Sequence, residues 1–280
     1  MILTSPQVAR AVESAEAHHL RLQVETWRAL GAREAHAVHV GTGVAAFTET
    51  LFGRKLNHVT GLGMDGAPVD EDALAALEAA YAGRGLATEI DLCPHADAAL
   101  LPLLARRGYA VNAFSNTYAR TLDDLGVAAA TDRGQDVEIL HGDDAHALFV
   151  DASVEGFSVQ AQQRPRDLLL ALARIAQARA DTSLFVARVN GRIAGSAGLS
   201  VAPTALGRIA ELYIASTLPD WRGRGVQAAL LRARLAAARE AGCALAVVMA
   251  RAGNSSARNT ERAGFRLAFT KATFAKGVRG

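Results

Sequence analysis

Seven residues, Trp221-Arg222-Gly223-Arg224-Gly225-Val226-Gln227, set two arginines and two glycines directly before a helix-forming run, AALLRARLAAARE. Glycine weakens a helix by about 1 kcal/mol relative to alanine, so its repeated use here points to a task other than helix stability. The start of a helix carries backbone N–H groups with no intrahelical partner and the positive end of the macrodipole. Glycine lets a bulky anion such as a pyrophosphate reach those groups. Arg222 and Arg224 add charge-assisted hydrogen bonds. The plain alternative is an exposed helix N-terminus with incidental arginine and glycine.

Two other anion motifs can be set aside. A Walker loop needs Gly-Lys-Ser/Thr, which the sequence lacks. Gly61-Leu62-Gly63-Met64-Asp65-Gly66 fits a dinucleotide fingerprint. However, no helix follows at once, and Asp70, Glu71 and Asp72 would repel a phosphate.

The elements that must position the Arg-Gly stretch follow from periodicity. Residues 207–217 read as a strand, 225–241 as a helix and 243–250 as a strand, with a short helix at 255–263 and a closing strand from Phe265. Upstream, SLFVARV, Asn190-Gly191 and RIAGSAGLSV form a hairpin signal. A strand at 137–140, a helix from Asp143 and a helix at 166–179 precede it. The first half reads as a helix over 5–31, with Ser5 as N-cap and Pro6 at its first position. Strands near 35–51 and 56–64, a helix near 70–83, a strand at 86–93, a helix at 96–107 and a strand at 109–121 follow. Both halves end on helix, Arg-x-Gly-aromatic, strand: Arg106 to Tyr109 and Arg262 to Phe265. This hints at internal duplication.

Half of the 280 residues are apolar, enough for one large domain or two ordinary ones. Residues 1–130 carry 10 basic and 15 acidic side chains, and 131–280 carry 20 and 13. The basic second half suits an anionic ligand. Nucleic acid is disfavoured, because the arginines are mixed with acids and aromatics are scarce. Cys93 and Cys243 read as core cysteines. The eight histidines have no metal-ligand spacing, so no metal is expected. No apolar run reaches a membrane span, and a cytoplasmic protein is expected.

Pro219-Asp220-Trp221-Arg222-Gly223-Arg224-Gly225-Val226-Gln227, followed by AALL, resembles the acyl-CoA loop of the GCN5-related N-acetyltransferase (GNAT) family. Gln227 stands where that family usually has Gly or Ala. Asn254, with Gly264-Phe265 downstream, resembles its second motif. The resemblance covers residues 136–280. It implies an α/β (α+β) GNAT fold, a mixed twisted sheet flanked by helices, whose two central parallel strands splay into a V that takes acetyl-CoA as co-substrate. It implies cofactor contacts from Ala215, Thr217, Arg222, Gly223, Arg224, Gly225, Val226, Gln227 and Asn254. The first half resembles a degenerate copy, giving a GNAT-like domain at 1–125, a linker at 126–135 and a catalytic domain at 136–280.

Acyl transfer to an amine needs a neutral nucleophile, whereas an alkyl ammonium has a pKa of about 10.4, so a base must take a proton. In IAELYIAST, strict alternation puts Ala210, Leu212 and Ile214 on one face and Glu211, Tyr213, Ala215 and Thr217 on the other. Glu211 is the base candidate; its alternative is a strand-end carboxylate paired with a surface arginine. The family's usual general acid falls at Thr260, leaving Tyr213 or Ser255 as donors, or an unassisted thiolate. The segment 155–166 is read as part of the acceptor wall, with Phe157 and its glutamines as candidate substrate contacts; the alternative, which the residues favour, is a plain loop. The activity implied is acetyl transfer to the amine of a small molecule or peptide. The alternative is a non-catalytic acyl-CoA-binding or regulatory protein. The sequence leaves a homodimer open.

Overall fold

The computed structural model describes residues 4–122, 137–160, 164–251 and 253–277. The linker expected at 126–135 and two of the glutamines, Gln162 and Gln163, lie outside them. The chain divides into two compact units that are interleaved in sequence. The first comprises residues 2–117, 249–252 and 267–280, and the second comprises 118–248 and 253–266. The final strand thus belongs with the N-terminal half, whereas the sequence pattern grouped 136–280 together.

In the first unit, α1 (Pro6–Ala29) starts where Ser5 accepts a hydrogen bond from Val8 N, with Pro6 in its first turn. The region 35–51 is a hairpin rather than continuous strand: β1 (His36–Val40) pairs antiparallel with β2 (Gly43–Phe47). Gly41, at φ 57°, supplies the turn. Of 56–64 only β3 (Val59–Thr60) is strand. Then come α2 (Glu71–Gly83), β4 (Thr88–Leu92), α3 (Leu100–Arg106) and β5 (Ala110–Thr121), with β11 (Arg266–Lys276) closing the chain. β3 and β4 are parallel, and β11 runs antiparallel to β4. A core of Phe47, Leu62, Leu74, Tyr81, Ile90, Leu100 and Leu104 lies against these strands.

The buried face of α1 carries two acids, Glu13 and Glu16. Lys271 of β11 donates to both, at 3.0 and 2.8 Å, and to Thr60 at 3.0 Å. Burial opposes the charge on Lys271, but Glu13, Glu16 and Asp91 outweigh it and hold its pKa above the ordinary value. Burial pushes the Glu13 carboxyl up to about 7 against the pull of Lys271. Glu16, His58 and Asp91 come within 4.8 Å of one another. Two of them already hold a cation, Glu16 with Lys271 and Asp91 with Arg54.

In the second unit, β6 (Val137–His141), α4 (Gly142–Gln160), α5 (Arg166–Ala178), β7 (Thr182–Val189), β8 (Arg192–Thr204), β9 (Gly207–Thr217), α6 (Val226–Glu240), β10 (Cys243–Ala250) and α7 (Ser255–Arg262) follow in order. Its strands lie as β10-β9-β8-β7-β6. The β7–β8 turn is the expected Asn190-Gly191, both at positive φ. β9 and β10 are parallel; the other neighbours are antiparallel. The glycines of β8 show which helix covers which face. A side chain at Gly195 would meet Val226 of α6, while the next residue, Ser196, meets Ser216, which lies against Gly156 of α4. Successive residues of a strand point to opposite faces, so α4 and α6 cover opposite faces of the sheet.

The repeated pattern noted in sequence has one geometry. Gly108 and Gly264 both sit at φ 83° after α3 and α7. Tyr109 N bonds Leu104 O, and Phe265 N bonds Thr260 O, which closes each helix in the same way.

Candidate functional site

β9 is held on both sides only over its first half. The parallel ladder to β10 ends at Glu211 opposite Val247, although β9 runs on to Thr217 and β10 to Ala250. A notch therefore opens between the two strands beyond Glu211. On its other side, β9 changes register with β8: Gly198 faces Tyr213 and Ser196 faces Ser216, so Ala197 stands against both Ile214 and Ala215. This is a β-bulge, and Ile214 takes φ 46° within it. A β-branched residue in that region is strained.

The bulge corrects the expectation of strict alternation. Directly opposed residues share a face. Glu211 opposes Ser200, and Tyr213 opposes Gly198, so both lie on the face of α4 with Ser196. Ile214 packs with Tyr213 into the cluster of α4, α5 and β7 rather than on the other face. Thr217 opposes Gly195 and lies on the α6 face. The extra residue shifts the parity, so Glu211 and Tyr213 are separated from Thr217 and, by the same count, from Ala215.

Glu211 is 3% exposed and sits inside the strand at the foot of the notch, not at a strand end. Tyr213 reaches the other way. Its hydroxyl lies 3.0 Å from Thr182 Oγ1 on β7, two strands from the notch on the side away from β10. Burial, first among several effects, pushes its pKa up to about 12. The hydroxyl of Thr260 belongs to a residue only 1% exposed. The side chain of Ser255 lies outside the described residues.

After β9 the chain makes a short 3-10 turn, Pro219–Trp221, and enters α6 through Gly223 and Gly225, at φ 73° and 79°. Both glycines are required by this left-handed backbone, not by packing: a Cβ at either would meet nothing within 4 Å. That open space lies directly before the first turn of α6. No side chain caps α6, and its first turn holds no acid. The corresponding helix of the first unit, α2, is the opposite case. Asp70 caps it, accepting from Asp72 N and Ala73 N, and Glu71 and Asp72 follow. One helix start is filled by carboxylates; the other carries neither a capping side chain nor an acid, a pattern whose charge suits an anion.

Arg222 and Arg224 are exposed, and Arg224 lies over the Trp221 ring at 5.2 Å. Trp221 is buried and thus fixes that guanidinium. Val226 is a core residue, 1% exposed, so only its backbone faces the site. Gln227 reaches across to α7, where Asn259 Nδ2 donates to its Oε1 at 2.6 Å. Asn254 caps α7, accepting from Ala257 N at 2.7 Å. The geometry thus groups the loop 222–227 with the N-terminal turn of α7. It adds Asn259 and Ser256, which no motif in the sequence singled out.

Residues 145–265 match the model of the acetyltransferase (GNAT) family. Among solved structures, a GCN5-related N-acetyltransferase from Kribbella flavida is similar, with 19% identity, 96% of each chain covered and a TM-score of 0.66. A conserved protein of unknown function from Staphylococcus epidermidis ATCC 12228 shares 10% identity over 89% of this chain and 97% of its own, with a TM-score of 0.60. A tandem GNAT protein from the clavulanic acid biosynthesis pathway shares 14% identity over 75% and 70%, with a TM-score of 0.56. A comparison with curated protein sequences returned no match.

Proposed function

Because residues 145–265 form a domain of the acetyltransferase (GNAT) family, we propose that the protein transfers the acetyl group of acetyl-CoA directly to the amine of a small molecule or peptide, in a ternary complex. The observation that carries this reading is the start of α6. Two left-handed glycines, no capping side chain and no first-turn acid leave backbone N–H groups facing open space beside Arg222 and Arg224. A pyrophosphate fits there by charge and by room.

Thr217 and Ala215 lie on the same face as α6, and the free edge of β9 beyond Glu211 offers backbone groups to a pantetheine arm. Asn254 stands at the far side of the notch. An acetyl-CoA whose pyrophosphate lies on the α6 face would bring its thioester through the notch toward Glu211 on the α4 face. The acceptor amine then comes from the α4 side. Glu211 takes a proton from the amine, directly or through water, as nitrogen attacks the thioester carbonyl. The C–S bond breaks with its electron pair leaving on sulfur, which takes up a proton from solvent. General base catalysis of this kind contributes about 10²–10⁴-fold.

Thr260, where the family usually has a tyrosine, favours a second reading: an acyl-CoA-binding protein that does no chemistry. Glu211→Gln separates the two. Acetyl-CoA binding with a turnover on a panel of amines that falls 10²-fold or more in the variant supports the enzyme. Acetyl-CoA binding with no turnover by the native chain on any amine of the panel supports the binder.

A further inference from the structure

Arg234 of α6 is 2% exposed, among the largest fully buried side chains of the protein. Its Nε donates to Leu230 O of its own helix at 3.1 Å, and Nη1 donates to Gly198 O at 3.4 Å. No carboxylate of the described residues pairs with it, and burial alone drives its pKa down to about 9. A buried guanidinium without a counter-ion is costly. Packing alone is a poor reason to keep one, since leucine or methionine would fill the same space.

Its place in the sheet gives a reason. Gly198 is the residue at which β8 and β9 resume their register after the bulge. It is also where Ile214 and Tyr213 fold over the strand: a Cβ at Gly198 would lie 2.9 Å from Ile214 Cγ2 and 3.1 Å from Tyr213 Cε1. Arg234 thus delivers a charged donor to the peptide where the ladder breaks, beside Ile214, the one non-glycine residue of β9 held at positive φ. The strained residue lies on the stretch of β9 that β10 no longer pairs.

We propose that Arg234 is a positioning residue for acyl transfer: by holding the Gly198 peptide, it keeps the bulge at Ile214 formed, so that the backbone N–H groups of β9 in the notch stay aimed at the acyl carbonyl. This rests on the acetyl-CoA reading above. Pre-organised backbone donors of this kind stabilise the charge that develops on a carbonyl oxygen.

The test uses [1-¹³C]acetyl-CoA on the 280-residue chain, with the carbonyl stretch followed by isotope-edited infrared spectroscopy and affinity by calorimetry. In the native chain the bound carbonyl band falls below its free position. In Arg234→Met that displacement shrinks by roughly half or more, while the dissociation constant stays within about threefold, because the anion loop is untouched. Arg234→Lys, which keeps a charge but lacks the fork to serve both carbonyls, gives an intermediate band and remains informative if the methionine variant does not fold. Ile214→Gly placed in either variant, by making positive φ unstrained, restores part of the displacement. A band that does not respond to Arg234 overturns this inference and leaves the acetyl-transfer reading standing. Failure of the native chain to bind acetyl-CoA overturns that reading and this inference together. A purely structural role would lower the melting temperature without moving the band.

Discussion

Asn259 Nδ2 and Gln227 Oε1 meet at 2.6 Å and join the first turn of α6 to α7 across the end of the notch. Gln227 Nε2 extends the link to Ser256 Oγ at 3.4 Å. The glutamine that departs from the family's small residue is therefore a brace between the two helices that flank β10. A side chain committed to α7 leaves the backbone of the loop free for an anion.

Gln227→Ala should lower stability by about 1 kcal/mol, the net worth of a typical partly buried hydrogen bond. In a chain of this size that is a fall of a few degrees in melting temperature. The added stabilisation by acetyl-CoA should remain. An unchanged melting temperature with loss of the ligand effect would instead make Gln227 a direct ligand contact.

Tyr213 bonds Thr182, away from the notch. Tyr213→Phe should cost about 1 kcal/mol in denaturant titration and leave turnover within a few-fold of native. A loss of 10²-fold or more at unchanged stability would return Tyr213 to the chemistry.

Lys271 neutralises two acids on the buried face of α1. Lys271→Met leaves both carboxylates buried without their cation and should cost about 3–5 kcal/mol. The pH dependence has a definite sign. Burial raises the folded-state pKa of Glu13 above its ordinary value. Such a group binds its proton more tightly folded than unfolded, so its contribution is full below pH 4.5 and is lost as pH rises through about 7. Urea midpoints of the variant should therefore recover part of the loss on going from pH 7 to pH 5. A deficit that grows on acidification would show that a different group dominates.

Gly156 of α4 lies against Ser216 near the bulge, and a Cβ there would be 2.2 Å from Ser216 Oγ. Gly156→Ala should cost about 1–3 kcal/mol by overpacking. Circular dichroism melts check this; a neutral result would mean that the end of β9 moves freely relative to α4.

Much of the fold could be read locally. Ser5-Pro6, Asn190-Gly191 and the periodic run 226–240 each carry their signal within a few residues, and each forms the expected element. The Gly-Arg turn before α6 was legible for the same reason, because its glycines and arginines are contiguous. The bulge was not. Ile214 is a strong strand former with no Gly or Asn to announce positive φ, so alternation placed Ala215 and Thr217 beside Glu211 when the extra residue puts them on the other face. Nothing in the run 226–240 sets Arg234 apart from the other arginines of α6, since its partner Gly198 lies on another element. Lys271 and Glu13 are 258 residues apart and meet only because the last strand packs with the first helix. Contacts between distant segments leave no periodic trace.

Binding of acetyl-CoA at the open start of α6 is best checked by thermal unfolding with and without acetyl-CoA, for the native chain and for Gly225→Glu. At a hundred times its dissociation constant, a ligand adds about 2.7 kcal/mol, a shift of several degrees. That shift is expected in the native chain. In Gly225→Glu the baseline should be modestly lower, because glutamate at φ 79° is strained, and the shift should be lost, because the new carboxylate enters the space proposed for the pyrophosphate. No shift in the native chain, or the same shift in both proteins, would contradict binding there.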